Sequence, residues 1–278
     1  MNDATLTSDI IEDVRRALAE DLGTGDVTAA LIPADSVATA VLITREEAVL
    51  CGSAWFDAVL QALDDTINIA WLARDGDVVT AHQALCEIRG PTRALLSGER
   101  CAMNFVQLLS GTASMTRRYV AAVAGTGAHI LDTRKTLPGL RIAQKYAVRC
   151  GGGANHRFGL YDAILIKENH IAASGSIERA IRAARQHYPT LSVEIEVESL
   201  DELQQALHAG AKRILLDNFA LADLRTAVAA TANRAHLEAS GGVSLDNVRA
   251  IAETGVDFIS VGALTKHVHA IDLSLRIV

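Results

Sequence analysis

Six short apolar runs in the second half of the chain end on residues able to do chemistry. HILDT (129–133) supplies Thr133 and leads into Arg134-Lys135, AILIK (163–167) ends on Lys167, and VEIEV (193–197) carries Glu196. RILLD (213–217) ends on Asp217, HLEAS (236–240) runs into Ser240-Gly241-Gly242, and FISVG (258–262) carries Ser260, Val261 and Gly262. Arginine's planar fork grips a carboxylate or phosphate through two hydrogen bonds, and lysine adds a point charge. Arg134, Lys135, Arg157 and Lys167 together could therefore hold several anionic groups at once. Glu196 and Asp217 suit two roles, accepting hydrogen bonds from sugar hydroxyls or giving oxygen ligands to a Mg²⁺ chelated by substrate. Glu194 alternates with Glu196 and faces the same side of its strand, where its expected part is to compensate the nearby positive charge. Glycine lets backbone approach a ligand, so the turns at 240–242 and 262 read as phosphate cradles. Lys167 has a second reading, as an amine nucleophile for Schiff-base chemistry.

These residues must be carried by a scaffold that gathers strand ends. The runs end about 20 to 34 residues apart with helical segments between them, the spacing of repeated βα units on a parallel sheet. In a parallel barrel all such ends lie on one face. Six runs rather than eight predict an incomplete barrel. Between Arg134 and Lys167 seven basic residues face only Asp162, a net +6 over 34 residues in a chain of net −7. A cationic site in an acidic protein suits a compact, highly anionic small molecule better than a polyanion. Within that segment Arg141, Lys145 and Arg149 share one helical face and are expected at the surface. Gly151-Gly152-Gly153, before Asn155-His156-Arg157, reads either as a mobile loop over the site or as a plain turn.

The first half has a different rhythm. Asp9 and Glu12 have capping-box spacing before Ile10, Ile11, Val14 and Leu18, predicting a helix that Gly23 ends. VATAVLIT (37–44) and ALCEIRG (84–90) predict strands, with a turn at ARDGD (73–77). A helix is expected from Thr92 to about Val123, broken near Ser110-Gly111. The expected division is an N-terminal α/β domain over 1–125, to which the chain can return at its C-terminal end, and a barrel over 126–278. The 278 residues are 50% hydrophobic and only 4% aromatic, enough for a large aliphatic core. The acidic balance argues against a nucleic-acid binder, and no apolar run is long enough for a membrane span. Four cysteines without a CxxC pair, and an acidic N-terminus unlike a secretory signal, predict a reduced, cytoplasmic setting. Cys150 is expected as a small buried residue, and His267 and His269 at the surface. GxSxG, GxxxxGK[ST] and HExxH are all missing, so three common catalytic frameworks are unsupported.

Longer segments carry a resemblance. LDTRKTLPGLR (131–141), GGGANHRFGLYDAILIKENHI (151–171), EIEVES (194–199), LLDN (215–218), EASGGV (238–243) and ISVGALT (259–265) resemble the quinolinate phosphoribosyltransferases, as do EDLGTGDVTAALIP (20–33) and SGERCAMNFVQLLSGTAS (97–114). The resemblance implies an N-terminal α/β sandwich and an incomplete, six-stranded α/β barrel, assembled as a homodimer. It implies transfer of phosphoribose from 5-phosphoribosyl-1-pyrophosphate to quinolinate, with Mg²⁺ and loss of CO₂, giving nicotinate mononucleotide and pyrophosphate in NAD biosynthesis. Arg134, His156, Arg157 and Lys167 would surround the quinolinate carboxylates, and Lys135 would meet the pyrophosphate. Glu196 and Asp217 would hold the ribose hydroxyls and the metal. The backbone at Ser240-Gly241 and Val261-Gly262 would hold the 5-phosphate. Thr133, Gly242 and Ser260 complete the expected substrate contacts, and Arg100 would reach into the partner subunit's site. The chain departs from the family near its C-terminus, reading LTKHVH where many members have LTHS, so Lys266 and His267 are left outside the expected site.

Overall fold

The computed structural model describes residues 3–278, which fall into two compact units. In chain order the elements of the first half are α1 (Asp3–Leu22), β1 (Val37–Thr44), β2 (Ala48–Val49), α2 (Ser53–Leu63), β3 (Asn68–Trp71), β4 (Val78–Val79), β5 (Ala84–Pro91) and α3 (Thr92–Ala122). Those of the second are β6 (His129–Leu131), α4 (Arg141–Cys150), β7 (Ile164–Ile166), α5 (Glu168–Ser174), α6 (Ile177–His187), β8 (Val193–Val197), α7 (Leu200–His208), β9 (Arg213–Asp217), α8 (Leu221–Thr231), β10 (His236–Ser240), α9 (Val248–Ala252), β11 (Phe258–Ser260), α10 (Ala263–Lys266) and β12 (Leu273–Ile277).

The first unit joins residues 1–117, 137–152 and 267–278. Its sheet is antiparallel in the order β12-β1-β5-β3, so the last strand of the chain pairs with the first. Alternate residues of β1 and β5, among them Leu42, Cys86 and Ile88, join Trp55, Phe56, Val59 and Leu60 of α2 in the core. The Trp55 indole N–H donates to buried Asp13, tying α2 to α1. Asp75 accepts from the backbone N–H groups of Gly52 and Ser53 at the start of α2 and from the Tyr146 hydroxyl. The sulfurs of Cys51 and Cys150 lie with its carboxylate inside 4.8 Å of one another, and all four cysteines are free. Cys150 is only partly buried.

Four local expectations need correction here. Helix α1 begins at Asp3, so Asp9 sits within it rather than at its cap, and partial burial together with the Asp13 charge raises its carboxyl above the usual range. Helix α2 is not among the expected elements, because its apolar run between Gly52 and Asp64 reads locally like the strands around it. Helix α3 runs unbroken through Ser110-Gly111. The Ser110 hydroxyl bridges the Cys51 N–H and C=O, and Gly111 lets the backbone at His269 lie directly against the helix. Lys145 is fully buried rather than at the surface, and Arg141, Lys145 and Arg149 belong to α4 in this unit. Gly151 caps α4 and is packed against Ala113 and Thr116, which leaves no room for a side chain.

A Cβ at position 111 would collide with the His269 carbonyl oxygen. Gly111→Ala should therefore cost this unit about 2 kcal/mol or more, as overpacking against backbone does. Both tryptophans, Trp55 and Trp71, lie in the same unit, so denaturant unfolding followed by their fluorescence reads it directly. An unchanged midpoint would show that the C-terminal segment moves aside freely.

The second unit joins residues 118–136 and 153–266. Its six strands are all parallel, in the order β6-β11-β10-β9-β8-β7. The six apolar runs are these strands, and α5 to α9 fill the connections between them. β6 and β7 are the edges, and the sheet stays open between them, extended past β6 only by the Leu131–Ala154 bridge. This is an incomplete α/β barrel, with all strand ends on one rim.

Candidate active site

The rim is built by chemistry at the ends of strands that are themselves aliphatic. Thr133, Arg134, Lys135, His156, Arg157, Leu165, Lys167, Glu196, Leu215, Glu238, Ser240 and Ser260 line one cleft of about 160 Å³. A roomier groove along α6 and α7, about 590 Å³, is lined by Glu178, Arg182, Arg185, Gln205 and His208 and lies away from the strand ends. Lys135 N–H donates to the Thr133 hydroxyl, Lys135 C=O accepts from Thr265, and its aliphatic stem runs over Gly262. Lys167 Nζ donates to Glu196 Oε2 at 2.7 Å. Arg157 donates to the Ala163 carbonyl, and burial together with the charge of Arg134 lowers its pKa. Two guanidinium groups held this close are stabilised by an anion between them. Asp217 Oδ2 accepts from Asn218 Nδ2 at 2.7 Å, next to the turn at Gly241. Gly241 has φ +94°, and any side chain there would collide with Asn218, so only glycine permits this turn.

Asn155 and His156 are fixed from below. Buried Asp132 accepts from Asn155 Nδ2 at 2.6 Å and from the His156 backbone N–H at 2.9 Å. The His156 ring is committed at both nitrogens. Nδ1 accepts from the Arg157 backbone N–H at 2.7 Å, and Nε2–H donates to Glu194 Oε2 at 2.8 Å. That pattern assigns the Nε2–H tautomer. His156, expected beside a substrate carboxylate from the resemblance, lines the cleft, and its ring holds Glu194.

A second layer of charge lies one strand step beneath the rim. Arg213 donates to Glu194 at 2.9 Å and to Glu238 at 2.7 Å, and its guanidinium stacks 4.5 Å over the Phe258 ring. Burial pushes the Glu194 carboxyl up, but the His156 hydrogen bond and the Arg213 charge outweigh it and leave Glu194 below the usual range. Burial and the Glu194 charge push Glu238 up to about 7. The compensating part expected of Glu194 agrees with this geometry.

Comparison with known proteins bears on the whole chain. Residues 26–110 match the N-terminal domain and residues 112–276 the C-terminal domain of quinolinate phosphoribosyl transferase. The chain belongs to the quinolinate phosphoribosyltransferase family. The carboxylating nicotinate-nucleotide pyrophosphorylase of Mycobacterium leprae is 45% identical over 274 residues, covering 95% of each chain. The nicotinate-nucleotide pyrophosphorylase structure from Francisella tularensis superimposes with a TM-score of 0.96 at 48% identity, covering 98% of this chain and 97% of that one. The Ehrlichia chaffeensis structure gives 0.92 at 36% identity over 100% and 99%.

For a member of this family, the expected residues of the barrel unit separate into two groups. Thr133, Arg134, Lys135, His156, Arg157, Lys167, Glu196, Ser240 and Ser260 line the one cleft. Asp217, Gly241, Gly242, Val261 and Gly262 follow the same strand ends without lining it. Arg100 lies exposed on α3, in the other unit, and makes no ion pair among the described residues. Lys266, at the end of α10, and His267 are exposed. Sequence reasoning missed Asp132, Arg213 and Glu238. The signal for Glu238 was present, since in HLEAS it shares a strand face with Ser240 as Glu194 does with Glu196. No helix among the described residues is long and apolar enough to cross a membrane.

Proposed function

We propose that this chain transfers phosphoribose from 5-phosphoribosyl-1-pyrophosphate to the ring nitrogen of quinolinate and releases CO₂, giving nicotinate mononucleotide and pyrophosphate. The observation that carries this reading is the convergence of Arg134, Arg157, Lys167 and Lys135 beside Glu196 in one cleft of a family barrel. Quinolinate is a rigid dicarboxylate, and two guanidinium forks with a lysine match its two anionic groups. Lys135, at the rim, suits the pyrophosphate. Glycosyl transfer needs no protein nucleophile. The C1–oxygen bond to pyrophosphate loosens, positive charge grows on the ribose, and the pyridine nitrogen takes C1. The protein's part is to align nitrogen with C1 and to set negative charge at Glu196 and Asp217 near the developing cation. The quaternised ring then draws electrons from the bond to the 2-carboxylate, and CO₂ leaves. The turns at 240–242 and 261–262 offer backbone N–H groups to the 5-phosphate.

Glu196 and Asp217 fit Mg²⁺, because each keeps a carboxylate oxygen that no hydrogen bond among the described residues uses, and hard oxygen donors with water and phosphate suit that ion. When bound, Mg²⁺ would neutralise pyrophosphate charge. The exposed position of Arg100 supports a homodimer in which it serves the partner's cleft.

The deciding assay is CO₂ release from quinolinate labelled at the 2-carboxylate, with 5-phosphoribosyl-1-pyrophosphate and Mg²⁺, leaving out each in turn. Release should need all three and match nicotinate mononucleotide one for one. Folded protein that releases no CO₂ would move the substrate to another pyridine.

A further inference from the structure

We propose that Glu238 is the acid that delivers a proton to carbon 2 of the pyridine ring when CO₂ departs. The inference rests on the proposed reaction, which leaves an electron pair on that carbon and must find a proton for it. Glu238 comes from the middle of β10, is fully buried, and lines the floor of the cleft with Leu165 and Leu215. Its Oε2 accepts from Arg213 Nη2 at 2.7 Å, whereas its Oε1 has no hydrogen-bond partner. The nearest donor, His156 Nε2, stands 3.5 Å away and gives its proton to Glu194. A buried carboxyl oxygen left without a partner costs free energy as a carboxylate and much less as the O–H of a neutral acid.

The influences on Glu238 oppose one another, with Arg213 and His156 favouring the carboxylate, and burial and Glu194, which favour the acid, prevail. Glu194 from β8 repels a second carboxylate, Arg213 from β9 is shared between the two, and His156 from the loop after Gly153 is held as the neutral tautomer. With Glu194 ionised and Glu238 neutral, the four side chains carry no net charge. The raised pKa, about 7, leaves a substantial acid fraction at neutral pH. Quinolinate brings two more negative charges to the cleft and pushes that equilibrium further towards the acid.

In the step itself, the bond between ring carbon 2 and its carboxylate breaks and its electron pair remains on carbon 2. That pair takes the proton from Glu238 Oε1, and the O–H pair stays on the carboxylate. The new anion lies beside Arg213 and His156 Nε2–H, which stabilise it until water restores the proton after product release. Because the acid form is the working one, turnover falls as pH rises through the raised pKa of Glu238, about 7 in the free protein.

The test is Glu238→Gln, whose amide oxygen still accepts from Arg213 but which has no acidic proton to give. CO₂ and nicotinate mononucleotide formation should fall about 100-fold or more in kcat, with both KM values within about threefold and the alkaline limb of the pH profile gone. Glu238→Asp should keep the limb at reduced kcat. A Glu238→Gln enzyme with wild-type kcat and an unchanged limb overturns the proposal. Should that variant fail to fold, the wild-type enzyme decides. Single turnover that slows in D₂O and declines above neutral pH supports the acid, and turnover flat from about pH 6 to 9 overturns it. Wild-type protein inert towards quinolinate overturns the activity itself, a different result from an active wild type with an indifferent Glu238→Gln.

Discussion

Quinolinate affinity is expected to fall about 100-fold or more in Arg134→Ala, while 5-phosphoribosyl-1-pyrophosphate still binds within a few-fold of wild type. Arg134 and Arg157 line one wall of the cleft, and the charge of Arg134 already depresses the pKa of Arg157. A dicarboxylate relieves that repulsion and takes two charge-assisted hydrogen bonds from each fork. Removing one fork leaves a desolvated carboxylate unpaired, a loss of about 2–5 kcal/mol, where each 1.4 kcal/mol is tenfold in affinity. Arg157→Ala should do the same. Arg157→Lys should recover only part of the loss, because an ammonium keeps the charge but not the planar pair of donors. Titration calorimetry with each substrate separately reads the two affinities. Equal losses for both substrates would mean that the cleft had collapsed, and an unchanged quinolinate affinity would remove Arg134 from the site.

Turnover in Arg100→Ala is expected to drop about 100-fold or more without loss of folded protein. Arg100 is exposed on α3, and no carboxylate among the described residues engages it, so its removal leaves no buried group unsatisfied. In a twofold dimer, each arm of this kind completes the other subunit's cleft. Mixing Arg100→Ala with Arg134→Ala then makes heterodimers with one intact cleft, built from the Arg134 of one chain and the Arg100 of the other. After random exchange of subunits about a quarter of wild-type activity should return. An inert mixture, with exchange confirmed by mass, would confine each active site to a single chain.

How much of this was legible in the sequence differs between the two layers of the site. The rim was legible. A strand buried on both faces is mainly aliphatic, so the charged, hydroxyl or glycine residue that closes each apolar run marks where the chain leaves the sheet, and Thr133, Lys167, Glu196, Asp217 and Ser240 were read from that alone. The layer beneath was not, because a charged residue inside a strand gives no sign of which charges neighbouring strands bring to it. Glu238 is one carboxylate in HLEAS. Only the order β11-β10-β9-β8 sets it beside Arg213 and, across β9, near Glu194.

The same division holds for the helices. Periodicity found α3, but Ser110-Gly111 looked like a break because a sequence does not reveal that Ser110 serves Cys51 or that backbone at His269 needs the space of a missing side chain. Lys145 looked like a surface lysine on an amphipathic helix, and only tertiary packing buries it. The sequence by itself determined the strand count of the barrel, the polarity of its rim and the anionic character of the ligand, because these follow from local residue type and the spacing of the apolar runs. The tertiary structure alone decided which charges face one another, and that raises the pKa of Glu238 and sets the tautomer of His156, because electrostatic energy depends on distances between residues far apart in the chain.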